Sequence, residues 1–208
     1  FRNAIEHAGE SVTVRVGRKQ ESIRLVLDMA APVMALRLSK GLTLKTVRRV
    51  TSWDYVGDQL TARGLQRPAK YKQQDLLGWV QELPEDPSLC AAIRPANQDL
   101  LITAVLAAAG NDAKTRAAAN LGSARFDAIR LASEKWWRRY WRRIGRVDIP
   151  NDRLQFLYDY GMYKYAGLTA FSRNHAVPAT LQGPWIEEYQ MPPWSSDYHF
   201  NINVQMCY

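Results

Sequence analysis

Two asparagines two residues apart, Asn201 and Asn203, are the pair of side chains best spaced to do chemistry together. On an extended backbone they project to one side, whereas on a helix they would lie about 200° apart. Each carboxamide offers an acceptor and two donor hydrogens, so the pair can fix the orientation of a water or a sugar hydroxyl, with the His199 ring facing the same space. The structural alternative is that Asn203 caps a helix starting at Val204 and Asn201 stabilises a turn.

Other catalytic patterns are weak or missing from the sequence. Glu187 and Glu188 are adjacent carboxylates, but neighbouring residues generally point apart, so they do not form an acid–base pair by themselves. The three histidines have no second His or Cys at ligand spacing, so we expect no metal site. Nucleophile-elbow, phosphate-loop and dinucleotide-binding motifs do not occur, and no cofactor is expected.

The run Lys135–Arg143 is the densest basic and aromatic stretch in a chain of net charge +8. One interpretation is a nucleic-acid-binding helix, with arginines on phosphates and exposed rings stacking on bases. The other is an amphipathic helix, since Trp137, Trp141 and Ile144 recur at helical spacing and Trp136 with Tyr140 widens the same stripe. In this second interpretation the aromatic rings are buried and cannot stack on bases. We favour it, and we therefore expect no nucleic-acid partner.

The first half of the chain is predicted to be β structure that leads up to these elements. Val12, Val14 and Val16 alternate with polar residues, and Ile23–Leu27 repeats the pattern after a turn. Further strands are predicted at Val33–Leu38, Leu42–Val50, Leu76–Gln81, Leu89–Arg94 and Leu100–Ala107. Antiparallel strands at this spacing predict part of a β-sandwich over residues 1–109.

Helical patterns replace the strands from Gly110 onward. Asp112 is predicted to cap a helix that Gly122 ends, and Ser123 to cap a longer one that reaches about Ile144. These two form a predicted helical linker over residues 110–147. Asn151–Ala170 is predicted to be a third helix, with its inward side chains at Leu154, Leu157 and Leu168. The fold class is therefore α+β and multidomain, and no stretch approaches the roughly 20 apolar residues of a membrane span.

Three short motifs between residues 178 and 206 resemble glycoside hydrolase family 95, whose members include inverting α-1,2-L-fucosidases. They are Pro178–Trp185 (PATLQGPW), Pro192–Ser196 (PPWSS) and Asn201–Met206 (NINVQM), in the family's order. The preceding helix, with Tyr158, Tyr160 and Tyr163, is also similar to the family's first barrel helix. The resemblance implies an N-terminal β-sandwich, a helical linker and the start of an (α/α)6 catalytic barrel over residues 148–208.

The resemblance also implies roles for individual residues. Asn201 and Asn203 would be catalytic and position the attacking water, while Trp185, Trp194 and His199 would bind the sugar. In the family, a glutamate acts as general acid and an aspartate assists the asparagines. Both belong to later barrel segments, past Tyr208, so this chain alone is expected to be an inactive fragment.

The expected substrate is an oligosaccharide or polysaccharide that carries an α-L-fucoside, an α-L-galactoside or another sugar. The family resemblance implies a secreted or periplasmic protein, and the oligomeric state stays open. The competing interpretation is a noncatalytic carbohydrate-binding protein that has lost the acid.

Overall fold

A computed structural model describes residues 3–5, 12–16, 21–169, 194, 197 and 199–201 of the chain. It divides into two compact units, Phe1–Arg142 and Arg143–Tyr208. The described residues form one antiparallel sheet and four helices, so the α+β class is confirmed. The sandwich, the barrel start and the boundaries at residues 109 and 147 stay predictions.

The first unit contains an eight-stranded antiparallel sheet within the described residues, in the order β1-β2-β3-β4-β8-β7-β6-β5. Strands β1–β4 form one meander and strands β5–β8 form another, and the pairing of β4 with β8 joins the two. Strands lie at β1 Asn3–Ile5, β2 Val12–Val16, β3 Glu21–Leu27, β4 Val33–Leu38, β5 Ala69–Gln73, β6 Leu76–Gln81, β7 Ser88–Ala96 and β8 Asp99–Ala107.

One face of this sheet is covered by α2 (Gly110–Ser123). Ala113, Ala117 and Leu121 recur every four residues and are fully buried against strand residues such as Cys90 and Leu101. The buried hydroxyl of Thr103 is satisfied, because its Oγ1 donates to the carbonyl of Pro32 at 2.7 Å. This layer of helix on sheet is the hydrophobic core of the first unit.

The opposite face of the sheet is also apolar, but it is only partly covered. The registers place Leu25, Leu36 and Leu100 side by side across three strands, and all three are half-buried. Leu27 and Leu106 on the same face are 50% and 57% exposed. An apolar second face is suited to packing against a further layer, but the described residues do not show one, so the sandwich stays a prediction.

The helix α3 (Phe126–Arg143) is tied to the sheet by Arg37 of β4. The guanidinium donates to Asp99 at 2.7 and 2.8 Å, and to Asp127 at 2.9 and 3.0 Å. It also lies 4.2 Å from the centre of the Phe126 ring. A planar guanidinium with two bidentate carboxylate partners fixes both position and direction, so Arg37 sets the first turn of α3.

Several sequence predictions for the helices need correction. Asp112 lies in the first turn of α2, where Ala109 is the N-cap, and Ser123 ends α2 and does not cap α3, because α3 starts at Phe126. The helix α4 spans Asp152–Thr169, and the Asn151 side chain accepts from the backbone N–H groups of Arg153 and Leu154 at 3.1 Å.

The predicted inward side of α4 is wrong for two of its three leucines. Leu154 and Leu157 are each 53% exposed, and the side chain of Leu168 lies outside the described residues. Phe156 beside them is 54% exposed and stacks on Tyr160, with 5.9 Å between ring centres. The described part of α4 therefore keeps a large apolar surface open.

The strand predicted at Leu42–Val50 is wrong, because this segment forms no strand. The two elements that follow it, α1 (Trp53–Ala62) and β5, were not predicted. Arg49 donates from Nη1 to the carbonyls of Tyr71 and Gly78, at 2.8 and 3.1 Å. A single side chain thus attaches this segment to the β5–β6 hairpin in place of a backbone ladder.

Cys90 is a free, fully buried thiol. Its Sγ lies 3.4 Å from the Tyr71 hydroxyl, and burial raises the pKa of the thiol. We expect Cys90 in the folded chain to alkylate about tenfold or more slowly than in urea, because the thiolate is disfavoured and access needs opening of the core. Peptide mass spectrometry after timed iodoacetamide treatment measures this, and equal rates would contradict the buried position.

Candidate functional site

The described residues near the C-terminus are Trp194, Asp197, His199, Phe200 and Asn201. Trp194 and Asn201 belong to the second and third motifs, and the other three lie between those motifs. Trp185 and Asn203 lie outside the described residues, so their positions stay predictions. The site is therefore built from three of the five predicted residues.

Trp194 presents an open aromatic surface. Its side chain is 73% exposed, and its backbone is left-handed, with φ of 59°. The Trp194 carbonyl accepts from the backbone N–H of Asp197 at 3.2 Å, which closes a tight turn. Such a turn directs the indole outward, and an exposed flat ring suits the apolar face of a sugar.

His199 lies directly against this tryptophan. The two ring centres are 5.3 Å apart at an interplanar angle of 79°, an edge-to-face contact. Only 22% of the His199 side chain is exposed. Two of the predicted sugar-binding residues are thus brought together, one exposed and one mostly buried.

Asp197 is a site residue that the sequence reasoning missed. Its Oδ1 lies 2.5 Å from Nε2 of His199, close enough for a charged pair, although the angle is not that of a good hydrogen bond. The carboxylate side chain is 62% exposed. Asp197 and His199 are two residues apart in the sequence. On an irregular backbone, this separation is short enough for the carboxylate to lie beside the imidazole.

Asn201 is exposed and lies in a turn with Phe200, whose side chain is 84% exposed. The turn was the structural alternative for this residue, and the extended backbone that would align it with Asn203 is not seen at Asn201. Because Asn203 is not described, the shared direction of the two amides stays a prediction.

The aromatic run of α3 behaves as an amphipathic stripe. Trp137 is 5% exposed, and Trp136, Tyr140 and Trp141 are half-buried. The rings pack on one another, with Trp136 stacked on Tyr140 at 5.5 Å between centres. Arginines on the same helix are exposed. Rings packed in this way are poor base-stacking platforms, which weighs against the nucleic-acid interpretation.

Within the described ranges, no three His, Cys, Asp or Glu side chains come together as a possible metal site. None of the helices in those ranges is long and apolar enough to cross a bilayer.

A protein-family match and two similar proteins identify relatives of this chain. Residues 118–208 match the glycosyl hydrolase family 95 catalytic domain. Over 50 residues the chain is 50% identical to Probable alpha-fucosidase A of Aspergillus niger, a stretch covering 24% of this chain and 6% of that protein. Over 66 residues it is 38% identical to Alpha-L-fucosidase 2 of Arabidopsis thaliana, covering 32% of this chain and 7% of that protein.

These matches span only a small part of the length of either relative. The family match over residues 118–208 covers the part of the chain that carries the three motifs. Residues 118–208 therefore belong to the catalytic domain of glycoside hydrolase family 95, as the resemblance of the motifs indicated.

Proposed function

We propose that this chain is part of an inverting glycoside hydrolase that cleaves an α-L-fucoside or a related glycoside in oligosaccharides or polysaccharides. The observation that carries the proposal is the family 95 match over residues 118–208, which includes the paired asparagines. We also propose that residues 1–109 form part of a β-sandwich, that residues 110–147 form a helical linker, and that residues 148–208 form the first segment of the barrel.

In the proposed mechanism, amides position the attacking water and carboxyl groups transfer the protons. A carboxamide is too weak a base to remove a proton from water, so Asn201 and Asn203 hold and polarise the water on the face opposite the leaving oxygen. A carboxylate from another part of the protein receives the proton, and a carboxylic acid protonates the leaving group. Inversion needs those two groups about 6.5–9.5 Å apart, with the water between one of them and the sugar.

The described residues of the site have a binding role in this scheme. The exposed Trp194 ring covers the apolar face of a sugar, and His199 contacts a hydroxyl. Asp197 holds the imidazole, which leaves its other nitrogen directed elsewhere. None of these groups supplies the general acid, so the chain on its own is expected to bind weakly and not to hydrolyse.

The test of the proposed function is hydrolysis by the complete protein of aryl α-L-fucosides, aryl α-L-galactosides and a panel of glycans. Proton NMR during turnover identifies the first anomer released, and inversion predicts the β-anomer. Release of the α-anomer would contradict inversion. Glycan binding without any hydrolysis would favour a carbohydrate-binding protein.

Replacing Asp197 by asparagine in the complete protein is expected to lower kcat/KM about tenfold, mainly through KM. The imidazole loses its charged partner, and a contact made equally in the ground and transition states affects KM. Steady-state kinetics with an aryl glycoside measures the change. The control is Asp148→Asn, whose carboxylate is 85% exposed and contacts only Arg146 in the described chain. Equal kinetics for the two variants would remove the assigned role of Asp197.

A further inference from the structure

A cavity of about 430 Å³ lies beside α1 in the first unit. Its walls come from α1 itself and from Arg67, a few residues after the helix ends. Val56 departs from helical geometry, with φ of −133° and ψ of 32°, so α1 is kinked where it borders the cavity. The volume is within the range of small-ligand sites.

The cavity has a buried donor without an acceptor. Trp53 is 9% exposed, and its Nε1–H has no hydrogen-bond partner among the described residues. The pyrrole side of the indole lies against Gly57, since a Cβ on that glycine would stand 3.5 Å from Cδ1. Both residues line the cavity. Buried N–H groups are nearly always paired, so this one is an exception in a residue that forms part of the cavity wall.

The rim of the cavity carries polar groups that the rest of the described chain does not use. Asp58, Gln59 and Arg67 are exposed and make no ion pair or hydrogen bond through their side chains to any other described residue. Tyr55 adds a ring that is 73% exposed. A carboxylate, an amide and a guanidinium together offer both acceptors and donors.

We propose that this cavity binds one neutral sugar unit of a carbohydrate. The negative charge of Asp58 and the positive charge of Arg67 offset each other, which disfavours a strongly charged ligand. Alternating donors and acceptors beside an aromatic ring match hydroxyl groups on a ring with an apolar face. The proposal goes beyond the hydrolytic function and does not depend on it.

The test is ligand-observed NMR titration of the 208-residue chain with L-fucose, D-galactose and D-glucose, and separately with inorganic phosphate. We expect at least one sugar to bind, and Tyr55→Ala to weaken that binding about tenfold. Gly57→Leu is expected to abolish it, because the added side chain fills the cavity while leucine favours the helix over glycine. The control is Gly122→Leu, since a Cβ at that helical glycine meets nothing within 4 Å.

Three results would overturn the proposal. They are no binding of any of the three sugars, unchanged binding in both α1 variants with folding intact, and displacement of the sugar by phosphate. Loss of binding in Trp194→Ala but not in Tyr55→Ala would assign the sugar to the C-terminal motifs and also overturn it. Hydrolysis by the complete protein is measured separately, so a failure to hydrolyse glycosides would not change the interpretation of sugar binding at this cavity.

Discussion

Asn203→Ala in the complete protein is expected to lower kcat about 10²–10⁴-fold, with KM changed far less. The reason is that the amide acts on a water that becomes a nucleophile only in the transition state, so its loss raises the barrier more than it weakens substrate binding. Steady-state kinetics with an aryl α-L-fucoside gives both constants. Asn201→Ala is expected to act in the same direction if the two amides share one water.

The matched control for both variants is Asn111→Ala. Asn111 is an exposed residue in the first turn of α2, and in the described chain only its backbone carbonyl makes a contact, to the hydroxyl of Thr115 at 3.0 Å. Thermal unfolding of all three variants separates lost chemistry from lost folding. Wild-type turnover in Asn203→Ala, with an unchanged melting temperature, would refute the water-positioning role.

Phe126→Ala is expected to lower the free energy of unfolding of the first unit by about 3–5 kcal/mol. Phe126, the first residue of α3, is 1% exposed, belongs to the core cluster with buried residues of α2, and has the guanidinium of Arg37 over its ring face. Removing the ring leaves a cavity and also deprives a bidentate arginine of the surface that it covers. Urea denaturation followed by tryptophan fluorescence measures the change.

The control for Phe126 lies on the same helix. Leu131 is 56% exposed, and Leu131→Ala is expected to change the free energy of unfolding by no more than about 0.5 kcal/mol. Both variants lose a large apolar side chain from α3, so helix propensity alone cannot explain a difference between them. A loss below about 1 kcal/mol for Phe126→Ala would show that the ring is not part of the core.

Strands were predictable where a short apolar stretch also finds a pairing partner. The predictions at Val33–Leu38 and Leu76–Gln81 match β4 and β6 residue for residue. Leu42–Val50 alternates in part, yet it forms no strand, because a side-chain pattern does not report whether a neighbouring backbone is available. The strand β5 was missed for the opposite reason: A-K-Y-K-Q is polar, and only its ladder with β6 at the sheet edge makes it a strand.

At the candidate site, the sequence motifs selected a segment but did not predict its internal geometry. Trp194 and His199 do lie together, as their shared assignment suggested. Asp197 was missed because its role comes from a turn at a left-handed tryptophan, a backbone state that L residues seldom adopt and that no spacing rule predicts. The backbone at Asn201 was not predictable from spacing either, because Asn201 lies in a turn and not in the extended conformation that the sequence prediction assumed.

The partly covered face of the sheet has a practical consequence for protein engineering. Leu27 and Leu106 hold apolar side chains in water at about half of their possible exposure, where they add little to interior packing. In the 208-residue chain, where the described residues leave this face partly uncovered, lysine or glutamate at these two positions would raise solubility at a small cost in stability. The same changes at Leu25 or Leu100 would disturb contacts across the strands. The exposure of each leucine therefore indicates which positions a covering layer would have to contact and which positions accept a polar replacement.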